Sequence, residues 1–342
     1  MDDLILRKHY DQKYHTLFNK KTGFFARIEE KGIEEPFWAQ DGPELLDISI
    51  TNYCQKGCTF CYRQSNETGK HMSAVDYKYI IEQARDLGVL QIALGGGNPN
   101  QHPEFVSFLK IAKENGIVPS YTTNGDGLTD EIFRVTKENC GAIAISAYKP
   151  FSKLSRIVER VLQFGIKTNI HFVVSSESIF TVIEWLKSPP KFLDKINALV
   201  FLNYKPVNTS SQLNLSGSDQ LSLFFDLLKN NRYKFKIGFD SCFMSGIVSN
   251  LNIKSVYLDS CDSARFSAFI SEDLKMYPCS FMINSGESGD LKKDSLISIW
   301  KNNVLFVNHR NKIRNIDCNS CSFKNDCKGG CVFIPNVNLC NK

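Results

Sequence analysis

The residues with the most distinctive chemistry in this chain of 342 residues are its 12 cysteines, which form two groups. The first group, Cys54, Cys58 and Cys61, occupies one short segment near the N-terminus with the spacing Cys-x3-Cys-x2-Cys. Cysteines that only fill a core would be scattered, so we interpret Cys140 alone, between the groups, as an ordinary core residue. The second group consists of Cys242, Cys261, Cys279, Cys318, Cys321, Cys327, Cys331 and Cys340.

Composition narrows the possible functions before any motif is considered. The net charge of +5 is too small to indicate a nucleic-acid partner. No apolar stretch approaches the roughly 20 residues of a membrane helix, and the first residues lack the basic segment of a secretory signal peptide. Thiols of an unexported chain stay reduced, so these cysteines indicate metal or iron–sulfur clusters rather than disulfides. We therefore expect a cytoplasmic protein that binds neither nucleic acid nor membrane.

The first cysteine group could hold a four-iron cluster with one iron left open. Three thiolates on a compact loop can ligate three irons of a [4Fe–4S] cube, and the fourth iron then lacks a protein ligand. An open coordination position is typical of a catalytic metal centre, whereas structural sites are closed. Zinc is the alternative, but it normally needs a fourth ligand at short spacing, and His71 lies ten residues beyond Cys61.

Short apolar runs alternate with helical patterns between the two cysteine groups. This alternation predicts an α/β fold with a parallel sheet, which right-handed crossovers curl into a partial (β/α)6 TIM-like barrel. Functional residues of such a barrel lie on loops at the carboxyl ends of its strands. The predicted strands are 45–51, 90–94, 117–123, 142–147, 168–175 and 198–203, and the predicted helices are 73–87, 103–115, 129–139, 152–164 and 178–187.

Polar side chains recur on one face of two predicted strands. Asp47, Ser49 and Thr51 alternate with apolar residues in strand 45–51, and Asn169 and His171 do the same in strand 168–175. A strand inside a filled barrel would be apolar on both faces. The pattern indicates a lumen that holds a polar ligand, with hydrogen bonding among these side chains as the alternative explanation.

The first cysteine group resembles the cluster-binding motif of the radical S-adenosylmethionine (radical SAM) family, because it directly follows the first predicted strand. Other family segments match in order, each after its own strand. The resemblance implies S-adenosylmethionine (SAM) as cofactor and a catalytic [4Fe–4S] cluster ligated by Cys54, Cys58 and Cys61. It implies that an electron from the cluster cleaves SAM to methionine and a 5′-deoxyadenosyl radical, which abstracts hydrogen from the substrate.

The same resemblance implies a set of cofactor-binding residues. Gly95, Gly96, Gly97 and Asn98 resemble the glycine-rich segment that receives the methionyl amino group, where the family usually has Glu in place of Asn98. Backbone exposed by glycine can approach a ligand closely. Phe60 matches the adenine-stacking position, and Thr123 and Asn124 match the next cofactor-side turn. Ser146 matches a polar contact to the methionine part of SAM. The polar face of strand 168–175 adds Asn169 and His171 to the expected set.

The C-terminal cysteines closely resemble the auxiliary-cluster (SPASM) extension of this family, with Leu274 where that extension usually has glycine. The resemblance implies two auxiliary [4Fe–4S] clusters. The first would bind Cys242, Cys261, Cys279 and Cys331, and the second would bind Cys318, Cys321, Cys327 and Cys340. Two zinc ribbons built from the same eight cysteines are the alternative.

The resemblance covers nearly the whole chain and divides it into an N-terminal extension (1–43), a radical SAM core barrel (44–235) and an auxiliary iron–sulfur domain (236–342). Family members with this extension mostly modify peptides or proteins. A precursor peptide or protein substrate is therefore implied, together with a flavodoxin- or ferredoxin-type reductant. The alternatives are a radical enzyme acting on a small metabolite, a sulfatase maturase that oxidises Cys or Ser, and a non-enzymatic electron carrier. A carrier has no use for an open cluster beside a ligand-binding loop.

Overall fold

A small antiparallel sheet precedes the main fold. The computed structural model describes residues 3–207, 211–216, 218–251, 253, 258–318, 320–327 and 329–340. The first three strands are β1 (Leu4–His9), β2 (Tyr14–Asn19) and β3 (Phe25–Glu29), and they pair in that order. Phe18 of β2 packs against Leu90 and Val118, so the small sheet covers the amino ends of two barrel strands.

The main sheet of the described residues has 10 strands. They are β4 (Leu45–Thr51), β5 (Gln91–Gly96), β6 (Val118–Thr123), β7 (Ala142–Ser146), β8 (Thr168–Val174), β9 (Ala198–Asn203), β10 (Lys236–Phe239), β11 (Ser267–Ile270), β12 (Lys275–Tyr277) and β13 (Gly289–Asp290). Their order is β10-β9-β8-β7-β6-β5-β4-β11-β12-β13. The strands from β10 to β11 are parallel, and β12 and β13 add antiparallel. Because β10 and β13 stand at opposite edges, the sheet is a partial barrel.

Helices connect the parallel strands and cover their outer face. Apolar residues at helical spacing, such as Tyr77, Ile80 and Ile81, are fully buried there. No described helix is long and apolar enough to cross a membrane. The helices are α1 (Ala74–Asp86), α2 (Phe105–Glu114), α3 (Asp130–Asn139), α4 (Phe151–Gln163), α5 (Ile179–Lys187), α6 (Asp219–Asn230), α7 (Met244–Asn250), α8 (Leu296–Asn302), α9 (Val304–Arg314) and α10 (Lys324–Cys327).

The structure confirms the predicted α/β partial barrel. All six predicted strands and all five predicted helices are present, with ends that agree within two residues. The sequence analysis missed β10 and β11, which extend the parallel sheet beyond six strands, because each is only four residues long and shows no clear period. The sheet therefore runs across the boundary expected between residues 235 and 236.

Candidate active site

A cavity of about 540 Å³ lies at the carboxyl ends of the barrel strands, which is where a barrel places its functional residues. Its border joins the cysteine loop (residues 54–61) to the glycine-rich segment (residues 95–98) and to the ends of β6, β7 and β8. The predicted site residues on this border are Cys54, Cys58, Cys61, Phe60, Gly95, Gly96, Gly97, Thr123, Asn124, Ser146 and His171. The fold thus assembles one site from segments that are separate in the sequence.

Asn98 does not border this cavity, in contrast to its predicted cofactor contact. Its side-chain amide donates to the carbonyl oxygen of Asp126 at 2.9 Å. Its Oδ1 accepts hydrogen bonds from Thr123 Oγ1 at 3.0 Å and from the Asn124 amide at 3.2 Å. The residue is only 1% exposed, so its polar atoms are used to fasten the glycine-rich segment to the following loop.

The two polar residues of β8 occupy different environments. Asn169 does not border the cavity, and its Oδ1 accepts a hydrogen bond from Asn197 Nδ2 at 2.7 Å. His171 does border it, with Nδ1 3.4 Å from Thr122 Oγ1. Burial lowers the pKa of His171 to about 4, so this ring is neutral at physiological pH. Internal hydrogen bonding explains the polarity of Asn169, and an open lumen explains that of His171.

The cysteine loop presents its three thiols to the cavity through a series of tight turns. The Cys54 amide donates to Asn66 O at 3.0 Å, and the Cys61 amide donates to Cys58 O at 3.1 Å. Asn124 Nδ2 lies 3.6 Å from Cys54 Sγ, within reach of a thiolate. Burial, followed by the charges of the neighbouring thiols, raises the pKa of Cys58 to about 11. The loop alone therefore keeps this thiol protonated, and a cationic iron core would release the proton.

The glycine-rich segment packs directly on the stem of the cysteine loop. The Gly97 amide donates to Thr51 O at 2.7 Å, and the Asn98 amide donates to Tyr53 O at 2.9 Å. A Cβ at residue 96 would lie 2.0 Å from Thr51 O, and Gly96 has a positive φ of 111°. Gly95 is different, because a Cβ there meets no atom within 4 Å. Gly96 and Gly97 thus serve the packing of two loops, and Gly95 faces open space.

An aromatic wall stands beside the cysteine loop. The rings of Phe60 and Tyr148 have centroids 5.6 Å apart, and Lys56 Nζ lies 5.0 Å from the Tyr148 centroid. Such faces suit a planar heterocycle such as adenine. Tyr148 was not among the predicted site residues, although an aromatic residue just after a barrel strand is a usable signal. A second cavity of about 430 Å³ on these same residues extends towards α5.

Four C-terminal thiols lie together despite their separation in the sequence. The Cys242 and Cys331 side chains contact each other, and this contact together with burial raises the pKa of Cys242. Burial raises the pKa of Cys261 and of Cys279 to about 12, and the charge of Cys242 adds to both shifts. This group has the membership that the resemblance implies for the first auxiliary cluster.

The remaining C-terminal thiols form a second group around α10. Burial raises the pKa of Cys327 to about 11, and the charges of Cys340, Cys318 and Cys321 add to the shift. The Cys321 amide donates to Cys318 O at 3.0 Å, which holds these two residues in one turn. These four residues are the set implied for the second auxiliary cluster.

Zinc is the alternative occupant of these thiols. A tetrahedral Zn²⁺ with bonds of about 2.3 Å would draw its sulfur ligands to about 3.8 Å from one another, whereas an iron–sulfur cube holds its ligands at separate corners. Among the described residues, no three His, Cys, Asp or Glu side chains are already placed to hold a single metal ion.

A buried ion pair that the sequence analysis missed joins the cysteine loop to the C-terminal half. Arg63, just after Cys61, donates to Oε2 of Glu272 at 2.6 Å. Ser49 Oγ of β4 donates to the same oxygen at 2.8 Å. Glu272 lies in the turn between β11 and β12, so the turn is fastened to the catalytic side of the barrel. The partners are more than 200 positions apart, and no local pattern announces such a contact.

A second ion pair lies between the cavity and the first C-terminal thiol group. Lys205, which follows β9, pairs with Asp240, which follows β10, and both border the cavity. Lys205 Nζ lies 4.8 Å from the ring centroid of Phe281. Its charge also acts on Cys242 and Cys279. The thiols and the cavity are therefore near neighbours.

Comparison with known proteins settles the family of the barrel. Residues 48–187 match the Radical SAM superfamily. The chain thus contains a radical SAM domain. The matched segment runs from β4 to the end of α5, so it contains both the cysteine loop and the glycine-rich segment. The protein is accordingly a radical SAM enzyme.

Similar proteins extend the likeness of this radical SAM enzyme beyond the matched segment. Mycofactocin maturase MftC of Mycobacterium tuberculosis is 22% identical over 317 residues, which covers 85% of this chain and 79% of MftC. PqqA peptide cyclase of Ruegeria pomeroyi is 30% identical over 104 residues, which covers 30% of this chain and 28% of the cyclase.

Solved structures share the fold of this radical SAM enzyme. SuiB of Streptococcus suis bound to SAM has a TM-score of 0.76 at 16% identity and covers 100% of this chain and 98% of SuiB. SuiB bound to the precursor peptide SuiA has a TM-score of 0.75 at 16% identity, with 97% and 94% covered. The predicted fold is therefore also the fold of a solved protein over nearly all of the solved chain.

Proposed function

We propose that this radical SAM enzyme modifies a residue of a ribosomally made precursor peptide, with crosslink formation as the reaction type. The observation that carries the proposal is the extent of the likeness to SuiB, which was solved bound to its precursor peptide and matches 97% of this chain. Relatives named maturase and peptide cyclase support the same substrate class. Relatives named GTP 3′,8-cyclase cover only 42% of this chain, against 85% for the maturase.

The residues of the cavity fit a cluster and its cofactor side by side. Cys54, Cys58 and Cys61 would hold the catalytic [4Fe–4S] cluster, with Gly95 and the aromatic wall of Phe60 and Tyr148 offering surfaces for SAM. Thr123, Asn124, Ser146 and His171 complete this proposed cofactor border. When bound, the cluster and SAM supply the 5′-deoxyadenosyl radical that abstracts hydrogen from the substrate. The protein positions the reactants and limits the access of water.

The C-terminal half is proposed to carry two auxiliary [4Fe–4S] clusters. The support is the grouping of eight thiols into two sets of four, which is the membership that the resemblance implies. We propose the auxiliary domain at 236–342, the core at 44–235 and the extension at 1–43, although one sheet joins the first two. A cytoplasmic flavodoxin- or ferredoxin-type protein is the proposed electron donor.

Co-expression tests the proposed function directly. The enzyme is expressed anaerobically with each short open reading frame beside its gene, and the peptides are analysed by mass spectrometry. We expect one peptide to lose two hydrogen atoms per crosslink, and a variant with Cys54, Cys58 and Cys61 changed to Ala to leave it unmodified. If every neighbouring peptide stays unmodified while wild-type enzyme forms 5′-deoxyadenosine with a small metabolite, the peptide proposal is wrong.

A further inference from the structure

Asp47 is a carboxyl group that the catalytic and auxiliary assignments leave without a role. It lies mid-way along β4, opposite Ala93 of β5 on one side and Phe269 of β11 on the other, and it borders the 540 Å³ cavity. Ala93 lies two residues before Gly95, so about 7 Å of strand separates Asp47 from the level of the glycine-rich segment. Asp47 therefore lies deeper in the lumen than the proposed cofactor border.

The Asp47 carboxyl has no partner within the described residues, unlike the other charged groups beside it. Arg63 is engaged by Glu272. Lys205 is engaged by Asp240, the second acid on the cavity border. Burial alone raises the pKa of Asp47 to about 6, with no contribution from a neighbouring cation. Ionising an unpaired carboxylate away from bulk water costs desolvation free energy, and a bound cation would offset that free energy.

Aromatic side chains border the same cavity as this carboxyl and strengthen the preference for a cation. Phe269 is its cross-strand neighbour, and Tyr62 and Phe281 border the same cavity with ring centroids 4.3 Å apart. A carboxylate combined with aromatic faces is the arrangement that binds ammonium and guanidinium groups.

We propose that Asp47, beside Phe269 and Tyr62, forms a cation subsite in the catalytic cavity, which receives the ammonium or guanidinium group of a lysine or arginine side chain of the substrate. That the substrate is a peptide is taken from the proposed function, and this proposal rests on it. SAM also carries positive charge, but its proposed border lies at Gly95 and the cysteine loop, one level nearer the strand ends. We therefore assign the bound cation to the peptide substrate. The test below also distinguishes the alternative that Asp47 binds the positive charge of SAM.

The test measures binding of two blocked amino acids to the anaerobically reconstituted full-length enzyme with SAM bound. Nα-acetyl-lysine amide carries the cation, and Nα-acetyl-norleucine amide has the same carbon chain without the amine. Calorimetry should show about tenfold tighter binding of the lysine probe to wild type. Asp47→Asn should abolish this preference, and Asp47→Glu should keep part of it. Asp86→Asn, which removes an exposed acid at the end of α1, is the matched control and should change nothing.

The outcomes separate this proposal from the proposed function. Equal binding of both probes to wild type overturns it, whether or not a variant folds. It is also wrong if Asp47→Asn weakens SAM binding about tenfold while the lysine preference survives, because the carboxyl then serves the cofactor. The proposed function fails on another measurement, the absence of modified peptide after co-expression, and that result would leave a lysine-selective cavity intact.

Discussion

Replacing Gly97 with alanine perturbs the point where the glycine-rich segment and the cysteine loop touch backbone to backbone. A Cβ at residue 97 would lie 2.0 Å from Tyr53 O, whereas real Cβ contacts essentially never fall below 3.0 Å. The segment must retreat by about 1 Å, which lengthens the 2.7 Å hydrogen bond from Gly97 to Thr51 to about 3.7 Å. The neighbouring 2.9 Å bond from the Asn98 amide to Tyr53 stretches similarly.

The magnitude follows from these two buried bonds. Each buried group left unsatisfied costs about 1–3 kcal/mol, so Gly97→Ala should destabilise this loop contact by about 2–6 kcal/mol. Tyr53 immediately precedes Cys54, and the displacement therefore reaches a proposed cluster ligand. Gly95→Ala is the matched control because its Cβ meets no atom within 4 Å and only enters the cavity.

Iron and sulfide content, SAM affinity and 5′-deoxyadenosine formation distinguish the two variants after anaerobic reconstitution. Gly97→Ala should lose the iron of one cluster and form no 5′-deoxyadenosine. Gly95→Ala should keep all its iron and bind SAM more weakly, since the added methyl group occupies cofactor space. A Gly97→Ala enzyme with full iron and wild-type SAM affinity would refute the reasoning, because it would show that the two loops do not support each other.

Four further outcomes are expected from single substitutions. Cys327→Ala should remove the iron of one auxiliary cluster and lower the Tm, whereas Cys140→Ala should leave iron content unchanged; equal iron in both variants would contradict the grouping of thiols. Glu272→Gln weakens a buried ion pair and should lower the free energy of unfolding by about 1–3 kcal/mol, measured by urea titration. An unchanged urea midpoint would contradict the expected role of this ion pair. Asn98→Ala should reduce SAM affinity by less than about tenfold, because this side chain does not border the cavity; a complete loss of binding would place it at the cofactor. Burial lowers the pKa of His309 to about 4, so the unfolded state binds a proton at this residue before the folded state does. The free energy of unfolding should therefore fall by up to about 3 kcal/mol as pH drops from about 6.5 to 4. His309→Gln should flatten this pH dependence, and an unchanged slope would contradict the prediction.

Local patterns were sufficient to predict the barrel and the position of the cysteine loop on it. Strand and helix periods extend over five or more residues, so all the predicted barrel elements could be recognised without knowledge of their neighbours. The three N-terminal cysteines lie within eight consecutive residues, and their geometry is therefore a property of one loop. The glycine-rich segment and the following turns could be placed at the same edge because parallel strands end on one side of a sheet.

Packing of residues from distant segments was decided only by the tertiary structure, and Leu274 is one example. Leu274 adopts a positive φ of 67°, a position that suits glycine, yet its side chain is 3% exposed. Burial of that side chain contributes about 2 kcal/mol, which offsets the backbone cost of about 1–2 kcal/mol.

The same limit applies to polar side chains. Whether Asn98 points to a cofactor or to a neighbouring loop depends on Asp126 and Thr123, which only the folded chain brings within reach. The partner of Cys242 is Cys331 rather than a nearer cysteine, since chain folding and not spacing sets which thiols meet. Asp47 looked like any polar residue of an alternating strand, and the fold made it distinctive by placing it on the cavity border while Arg63 and Lys205 there pair with other carboxylates. Spacing therefore determined which segments carry the chemistry, and packing decided which atoms face it.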